Sequence, residues 1–398
     1  MKIGIFTEFL PYLPARDGFR VYEANLLREL SQRHELHLVS LFREEDSPNR
    51  TWSESIFKSI ALVHAHPNSV VSRLANSVSI YGTGKALHYR DETVRLLTSK
   101  AANEKWELLY VAGNFIAGLV PDSLSIPKVL SLHDAHTLRF KQKAESATSL
   151  VDKLSFKALV RLQARYERIQ FNKYDACTFV SQKDMDEQRR LGVNVEMRVI
   201  PLAVDTRYFS PGSASPNGKR LVFHGNLSYE PNVEAVLEFT NFIFPEIAKT
   251  NPGLEFLVVG SSPSQPIRDL AAANKFKLIP SPDDLRPYVQ EAAVYVCAMR
   301  LGTGMKTKLL EAMAMEKPIV AYPEAVEGIE GANEKNISVA ENRQDFINRV
   351  QSLLNSPEQR AEIGKEARSL VLEYYSWKSR ASELEDLLLE CKARTARS

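Results

Sequence analysis

The sequence predicts an α/β protein made of two doubly wound domains in tandem. Three features point there. Short apolar runs alternate with segments of helical apolar spacing, the pattern of βαβ units around a parallel sheet. A stretch rich in Ser, Pro and Gly, Ser210–Arg220 (SPGSASPNGKR), interrupts that pattern midway. Beyond it a strand–loop–helix opening starts the pattern afresh.

In order, Lys2–Thr7 reads as a strand, Pro11–Gly18 as a Pro/Gly loop, Val21–Ser31 as a helix and Glu35–Leu41 as a second strand. Further strands are expected at Ile60–Ala65, Leu108–Ala112, Lys128–Leu132 and Ala176–Val180, with Val199–Leu202 closing the set. After the break, Arg220–His224 reads as a strand, Val233–Phe244 as a helix and Glu255–Val259 as a strand ending at Gly260. Then come a strand at Lys277–Ile279, a helix at Asp284–Ala292, a strand at Val294–Cys297, a helix at Lys306–Met315 and a strand at Pro318–Ala321. A helical tail runs from Asp345 to Ala393, broken near Ser356-Pro357 and at Tyr375–Trp377. The domain limits read from this pattern are 1–205, 206–375 and a terminal helix at 376–398. Ligands of open α/β sheets bind outside the carboxyl ends of the strands. Two such domains facing each other would make a cleft there, so function is sought in the loops that follow strands.

Composition narrows the classes. The chain has 398 residues, 44% hydrophobic and 25% charged, enough for two or three domains of ~100–200 residues each. With 20 Pro and 17 Gly it is neither disordered nor collagen-like. Three cysteines make no disulfide framework, and Cys177 and Cys297 sit in apolar runs, as reduced buried thiols of a cytoplasmic protein do. Eight histidines without a Cys-x-x-Cys argue against structural zinc. No apolar run reaches the ~18 residues of a membrane span. Ile3–Phe6 is followed at once by Thr7 and Glu8, unlike a signal peptide. The net charge of +2 does not suggest a nucleic-acid binder. It divides as 28 basic against 24 acidic residues in 1–205 and 23 against 25 thereafter.

The segment Arg300–Glu316, RLGTGMKTKLLEAMAME, follows a strand and opens a helix. Gly302 and Gly304 remove the side-chain barrier to a ligand's approach. Free N–H groups at a helix start, aided by the helix dipole, form a phosphate site. Lys308 and Glu311 lie four and seven residues after Gly304, on one helical stripe, and seven residues rise ~10 Å, about the span from a pyrophosphate to a ribose. One face can thus offer Lys308 to phosphates and Glu311 to ribose hydroxyls, while Leu309, Leu310 and Met313 pack on the sheet. The spacing alone fits an ordinary amphipathic helix with solvated charges equally well. A dinucleotide fingerprint lacks its third glycine here, and neither this segment nor Gly82-Thr-Gly84-Lys85 has the spacing of a phosphate-binding loop.

GTGMKTKLLEAMAMEKPIVAY, running on to AVEGI, resembles the donor-binding block of retaining GT-B glycosyltransferases of family 4, in particular the branch with G-T-G-x-K-x-K-x-L-E-A-M-A. Three more segments are similar. FHGNLSYEPNVEAVLEF (Phe223–Phe239) resembles the first strand–loop–helix of that branch's C-terminal domain. PLAVDTRYFSP (Pro201–Pro211) resembles the interdomain hinge, and Ser281–Arg300 the approach to the Gly-rich loop. The similarity is strong over roughly 199–330 and weaker over 1–198. It implies a GT-B fold: an N-terminal acceptor domain, a C-terminal domain for a nucleotide-diphospho-sugar donor, and a last helix, Ala381–Cys391, crossing back to the N-domain. It also implies retention at the anomeric carbon and no requirement for a divalent metal.

Carried over residue by residue, the resemblance makes Glu311 the ribose ligand and puts Lys308 on the diphosphate, the charge relief that glycosyl transfer needs without a metal. Gly302, Thr303, Gly304 and Met305 complete the donor loop. Thr303 stands where the common pattern has a first glutamate, eight residues before the second, and would donate through its hydroxyl or backbone N–H. Asn226 and Asn232 stand near where many members have an Arg and a Lys, so neutralisation falls on Lys308 with Lys306 and Arg300 as helpers. Asn232 can add a hydrogen bond, although both asparagines also read as plain turn residues around Ser228 and Pro231. Pro11–Arg20 occupies the place of a flexible Gly-rich loop, where Gly18 remains of the usual glycine pair and Arg20 can reach a phosphate. Asp17-Gly18 equally fits a plain turn. His133-Asp134-Ala135-His136 follows the strand KVLSL, and the family often places His or Asp there, near the reacting sugar. His133 then bonds a donor-sugar hydroxyl or assists the acceptor hydroxyl. A structural loop histidine is the alternative, and a metal site lacks further ligands.

Arg139–Lys173 holds nine Lys/Arg against three Asp/Glu, and 150–171 has helical apolar spacing at Leu154, Ala158, Leu162 and Ile169. Such a helix suits contact with an anionic membrane and a lipid-linked acceptor, or is simply a solvated helix. Ser72–Tyr81 is a candidate acceptor loop. The expectation is a retaining, metal-independent hexosyltransferase of surface polysaccharide or glycoconjugate synthesis. It is cytoplasmic or peripheral at the inner membrane face. A sugar phosphorylase, a nucleotide-sugar epimerase or a non-catalytic nucleotide-sugar-binding subunit on the same scaffold are the alternatives.

Overall fold

The computed structural model describes residues 1–15, 18–42, 46, 50–64, 90–147, 149–212, 217–301 and 305–395. The chain divides into two compact units: unit 1 comprises Met1–Pro201 with Arg380–Ser398, and unit 2 comprises Leu202–Ser379.

Unit 1 is built on seven strands, β1 (Lys2–Thr7), β2 (Glu35–Phe42), β3 (Ser59–His64), β4 (Leu108–Ala112), β5 (Lys128–Leu132), β6 (Ala176–Phe179) and β7 (Glu196–Val199). They form one parallel sheet in the order β3-β2-β1-β4-β5-β6-β7. The central strands are mostly apolar and, after an exposed Lys2 and a half-buried Lys128, buried throughout, as expected of a parallel sheet covered on both faces. The last strand lies earlier than expected. Glu196–Val199 pairs with β6, half-buried along its length at the sheet edge, and Ile200–Leu202 leaves the sheet at Pro201. The apolar run pointed to Val199–Leu202, but an edge strand needs apolar residues on one face only.

Unit 2 contains β8 (Asn217–His224), β9 (Glu255–Gly260), β10 (Lys277–Pro280), β11 (Ala292–Cys297), β12 (Ile319–Ala321) and β13 (Ser338–Val339). Their order is β10-β9-β8-β11-β12-β13, again all parallel. Two residues of β13 are too short to leave a periodic signal in the sequence. Asn217–Lys219, read as belonging to the linker, extends β8 ahead of its expected start at Arg220. The expected helix at Asp284–Ala292 shrinks to Arg286–Gln290, since Ala292 already opens β11. The tail comprises helices Arg343–Asn355, Pro357–Tyr374 and Trp377–Thr395. Asn342 and Ser356 cap the first two, each accepting a backbone N–H three residues on.

The terminal helix is tied into unit 1. His34 and Arg33 meet Glu385 at 2.6 and 2.5 Å, Arg198 reaches Glu390 at 2.8 Å, and Lys392 pairs with Glu107. Leu384, Leu387, Leu388 and Cys391 are buried beneath these pairs. No helix among the described residues is long and apolar enough to cross a membrane.

Candidate functional site

Both sheets reverse strand order once, at β1/β4 in unit 1 and at β8/β11 in unit 2. At such a switch point the connections from neighbouring strands leave on opposite faces and open a crevice. In unit 2 the loops after β8 and β11 lead into helices Glu230–Glu238 and Thr307–Ala314, and these carry the candidate side chains.

Lys308 is the second residue of its helix. Its ammonium donates to Asn232 Oδ1, lies 3.6 Å from Met299 Sδ and sits 4.9 Å from the centre of the Phe223 ring. Asn232 is held in turn, its amide donating to the Asn226 carbonyl at 2.7 Å. Gly225 makes room for this pair. A Cβ there would stand 2.9 Å from Asn232 Nδ2 and 3.2 Å from Lys308 Nζ. Gly260 serves the same purpose on the neighbouring strand, where any Cβ would collide with the Gly225 carbonyl oxygen. Burial holds the Lys308 ammonium below the usual lysine pKa. Its hydrogen-bonded and ring partners are neutral, so the charge is poised for an anion.

Glu311 follows at i+3, on the same face of the helix. His224, the last residue of β8, meets Glu311 Oε2 through Nε2 at 2.7 Å. The His224 ring is buried edge-on against Tyr295, with centroids 5.4 Å apart, and its Nδ1 has no hydrogen-bond partner among the described residues. The carboxylate stays partly exposed. An oriented carboxylate one turn from a desolvated ammonium suits a ligand with an anionic portion and a hydroxyl-bearing portion.

The neighbouring residues divide. Asn226 turns its side-chain oxygen onto Ser228, accepting from its N–H at 3.0 Å and its hydroxyl at 2.8 Å, and so shapes the turn. Arg300 lies 3.8 Å from the centre of the Tyr322 ring and 4.0 Å from Glu324. Lys306 occupies the N-cap position of the Thr307–Ala314 helix without a side-chain capping bond; its side chain is buried, and that burial lowers its pKa. Met305 rests against Gly328. Gly302, Thr303 and Gly304 lie outside the described residues, as does Ser72–Tyr81.

In unit 1, Gly18 opens the Gly18–Leu30 helix at an exposed position. Arg20 is bound to Asp46 at 2.9 Å and lies over the Phe9 and Tyr12 rings. His133 and Asp134, adjacent in sequence, differ in setting. His133 Nε2 lies 2.9 Å from Glu23 Oε1, its ring 4.5 Å from Phe19 and 4.6 Å from Tyr22. Asp134 is exposed, and the neighbouring N–H of Ala135 goes to Asp184 instead. Glu23 is fully buried and also accepts from Ser131 at 2.9 Å and Tyr110 at 3.0 Å.

Sequence reasoning passed over His224, Glu23 and Glu234. The first stands at a strand end next to a flagged loop, so position alone could have found it. Glu23 is a charged residue beside the apolar positions Tyr22, Leu26, Leu27 and Leu30 of its helix, a mismatch that marks a buried polar network. Glu234 accepts a backbone hydrogen bond from Arg300, and burial raises its pKa. That contact between distant segments leaves no sequence trace.

Residues 16–208 match the family model described as Glycosyltransferase Family 4, and residues 218–356 match that of Glycosyl transferases group 1. Over 390 residues the chain is 22% identical to an uncharacterized 44.6 kDa protein in the cps region of Klebsiella pneumoniae, covering 95% of this chain and 97% of that one. Among solved structures, sucrose-phosphate synthase from Thermosynechococcus elongatus is similar with a TM-score of 0.63 at 14% identity, over 99% of this chain and 100% of that one. HepE of Anabaena in complex with UDP is similar with a TM-score of 0.61 at 13% identity, over 98% and 100%. At these identities the structures speak for the fold. Two glycosyltransferase models in tandem, each laid over a parallel-sheet unit of this architecture, identify the chain as a member of the GT-B glycosyltransferases.

Proposed function

We propose that the protein is a retaining, metal-independent glycosyltransferase that moves a hexose-type sugar from a nucleotide-diphospho-sugar to a hydroxyl acceptor. The observation that carries this is the pairing of Lys308, desolvated and held by Asn232, with Glu311, held by His224, at the switch point of unit 2. Lys308 would meet the diphosphate and Glu311 the ribose hydroxyls. The solved HepE structure holding UDP and glucose supports that choice of ligand.

In the reaction the bond from the anomeric carbon to the phosphate oxygen breaks, and its electron pair stays on phosphate. Lys308 stabilises that charge as it develops, in a setting where little reorganisation is needed. The freed phosphate oxygen takes the acceptor hydroxyl proton, and the new C–O bond forms on the same face. Arg300 and Lys306 are the supporting cations on the adjoining loop. In unit 1, His133 backed by Glu23 is the group equipped to orient a sugar or acceptor hydroxyl.

A role in surface polysaccharide or glycoconjugate synthesis fits the relative's place in a cps region. The three free, buried cysteines support a cytoplasmic setting.

The test is binding of nucleotides and nucleotide-sugars in EDTA, followed by transfer to acceptor extracts, for the native chain and for Lys308→Ala and Glu311→Ala. Selective binding of one diphosphate nucleotide, weakened in both variants together with transfer, is expected. Transfer undiminished in both variants would sink the assignment. Phosphate-dependent cleavage, epimer formation without acceptor, or tight donor binding with no turnover would replace it by phosphorylase, epimerase or binding subunit.

A further inference from the structure

The helix Leu150–Phe171 in unit 1 buries one face and leaves an apolar stripe on the other. Its inward face joins the buried rings of Tyr166 and Phe171 to a buried polar network. Gln163, Tyr166, Glu167 and Gln170 are buried, and Glu167 accepts from Thr137 at 2.7 Å, Gln188 at 2.7 Å and Gln163 at 2.9 Å. Its outward face is apolar: Val151 is 72% exposed, Leu154 60%, Leu162 39% and Ile169 44%. With the exposed Ala158 these recur at intervals of three, four, four and seven residues, a single stripe along a helix of 22 residues, about 33 Å long.

Beside the stripe runs a row of cations at four-residue spacing, Lys153, Lys157, Arg161 and Arg165, all exposed, with Arg168 one turn further at the same edge. From Val151 to Ile169 the one exposed carboxylate is Asp152, at the amino end. Glu167, the other acid, faces inward. Exposed apolar side chains need a cover, and the charge row says of what kind. A second copy of this helix would set cations against cations with almost no acid to meet them. A nucleic acid would use the cations and leave the stripe wet. A bilayer with anionic headgroups takes both at once: the leucines enter the headgroup–acyl boundary and the Lys/Arg stems reach up to the phosphates.

We propose that this helix is a membrane-docking surface, laying its Val151–Ile169 stripe into the interface of an anionic lipid bilayer. It does not depend on the assigned transfer reaction, and it is testable without any donor.

The experiment is co-flotation of the full chain with vesicles of phosphatidylcholine alone and with vesicles of equal amounts of phosphatidylcholine and phosphatidylglycerol. Binding to the second and little to the first is expected, falling with added salt. Each cation near an anionic surface contributes roughly five-fold in partition, so Lys157→Gln with Arg161→Gln should weaken binding roughly 25-fold. Val151→Gln with Leu154→Gln should weaken it at least ten-fold with charge intact. All four sites are exposed, so circular dichroism and melting should match the native chain. Equal binding to both vesicle types, or loss on charge removal but not on stripe removal, would overturn the proposal; the latter pattern together with binding to a random duplex RNA would mark a nucleic-acid surface. No flotation together with dimers that dissociate in the stripe variant would assign the face to a second copy.

Discussion

Lys308→Met separates binding from stability in a way few site substitutions do. Methionine keeps the stem that packs beside Met299 and Phe223 but removes the ammonium. That ammonium is desolvated, and its hydrogen-bond partner is the neutral Asn232 amide. Its loss therefore frees the fold of a poorly compensated charge, and the unliganded stability should hold within about 1 kcal/mol, or rise. For a unit of this size that is a melting shift of about 2–4 °C. The bound state behaves oppositely. A charge-assisted contact to phosphate contributes about 1.5–3 kcal/mol, so the affinity for a diphosphate nucleotide should fall about 10- to 100-fold. Scanning calorimetry without ligand and titration calorimetry with it read the two quantities separately. A variant that melts much lower yet binds unchanged would make Lys308 a structural cation and refute the reasoning. The pH dependence gives a second check. Because burial lowers the folded pKa, the unfolded chain holds this proton longer, and native stability should rise with pH through the window just below the usual lysine value. Below that window both states are charged, and the gap to the variant should be flat.

Three further outcomes are expected. His224→Phe leaves the core filled but releases Glu311, so the donor KM should rise by up to about ten-fold with kcat changing far less; an equal fall of kcat would give the histidine a different role. Gly260→Ala forces a Cβ against the Gly225 carbonyl, and urea unfolding should show a loss of about 1–3 kcal/mol, accompanied by weaker donor binding, because Gly225 borders Lys308; unchanged stability would contradict the packing. Lys317, buried and donating to the Gln290 and Ala292 carbonyls, has its pKa lowered by burial from 10.5 to about 8. Its burial penalty is relieved as it deprotonates, so the native chain should gain stability relative to Lys317→Met by up to about 3 kcal/mol between pH 8 and 10.5; a pH-independent difference would refute it.

The strands buried on both faces were the most legible elements of the chain. Leu108–Ala112 and Lys128–Leu132 fall at the residues their apolar runs mark. Legibility fails where burial is one-sided or the element is brief, as in β7 and β13. At the candidate site, Lys308 and Glu311 were readable because both lie on one helix, where spacing becomes geometry. His224 and Asn232 acquire their roles through tertiary contact with that helix, across 87 and 76 residues of sequence. The Leu150–Phe171 helix shows the converse limit. Its apolar period was visible, but the period does not say which way the stripe points, and here the stripe of Val151, Leu154, Leu162 and Ile169 is exposed while Gln163 and Glu167 are buried.

Unit 1 is assembled from two stretches of chain separated by the whole of unit 2. During synthesis, the surface that Leu384, Leu387, Leu388 and Cys391 will cover is made long before those residues exist. Unit 2 is complete in sequence by Ser379 and can fold as each element leaves the ribosome, whereas unit 1 must wait for a helix translated after all of unit 2. Loss of the residues after Ser379 therefore injures unit 1 rather than unit 2, leaving an apolar scar on a unit whose own strands were all translated intact.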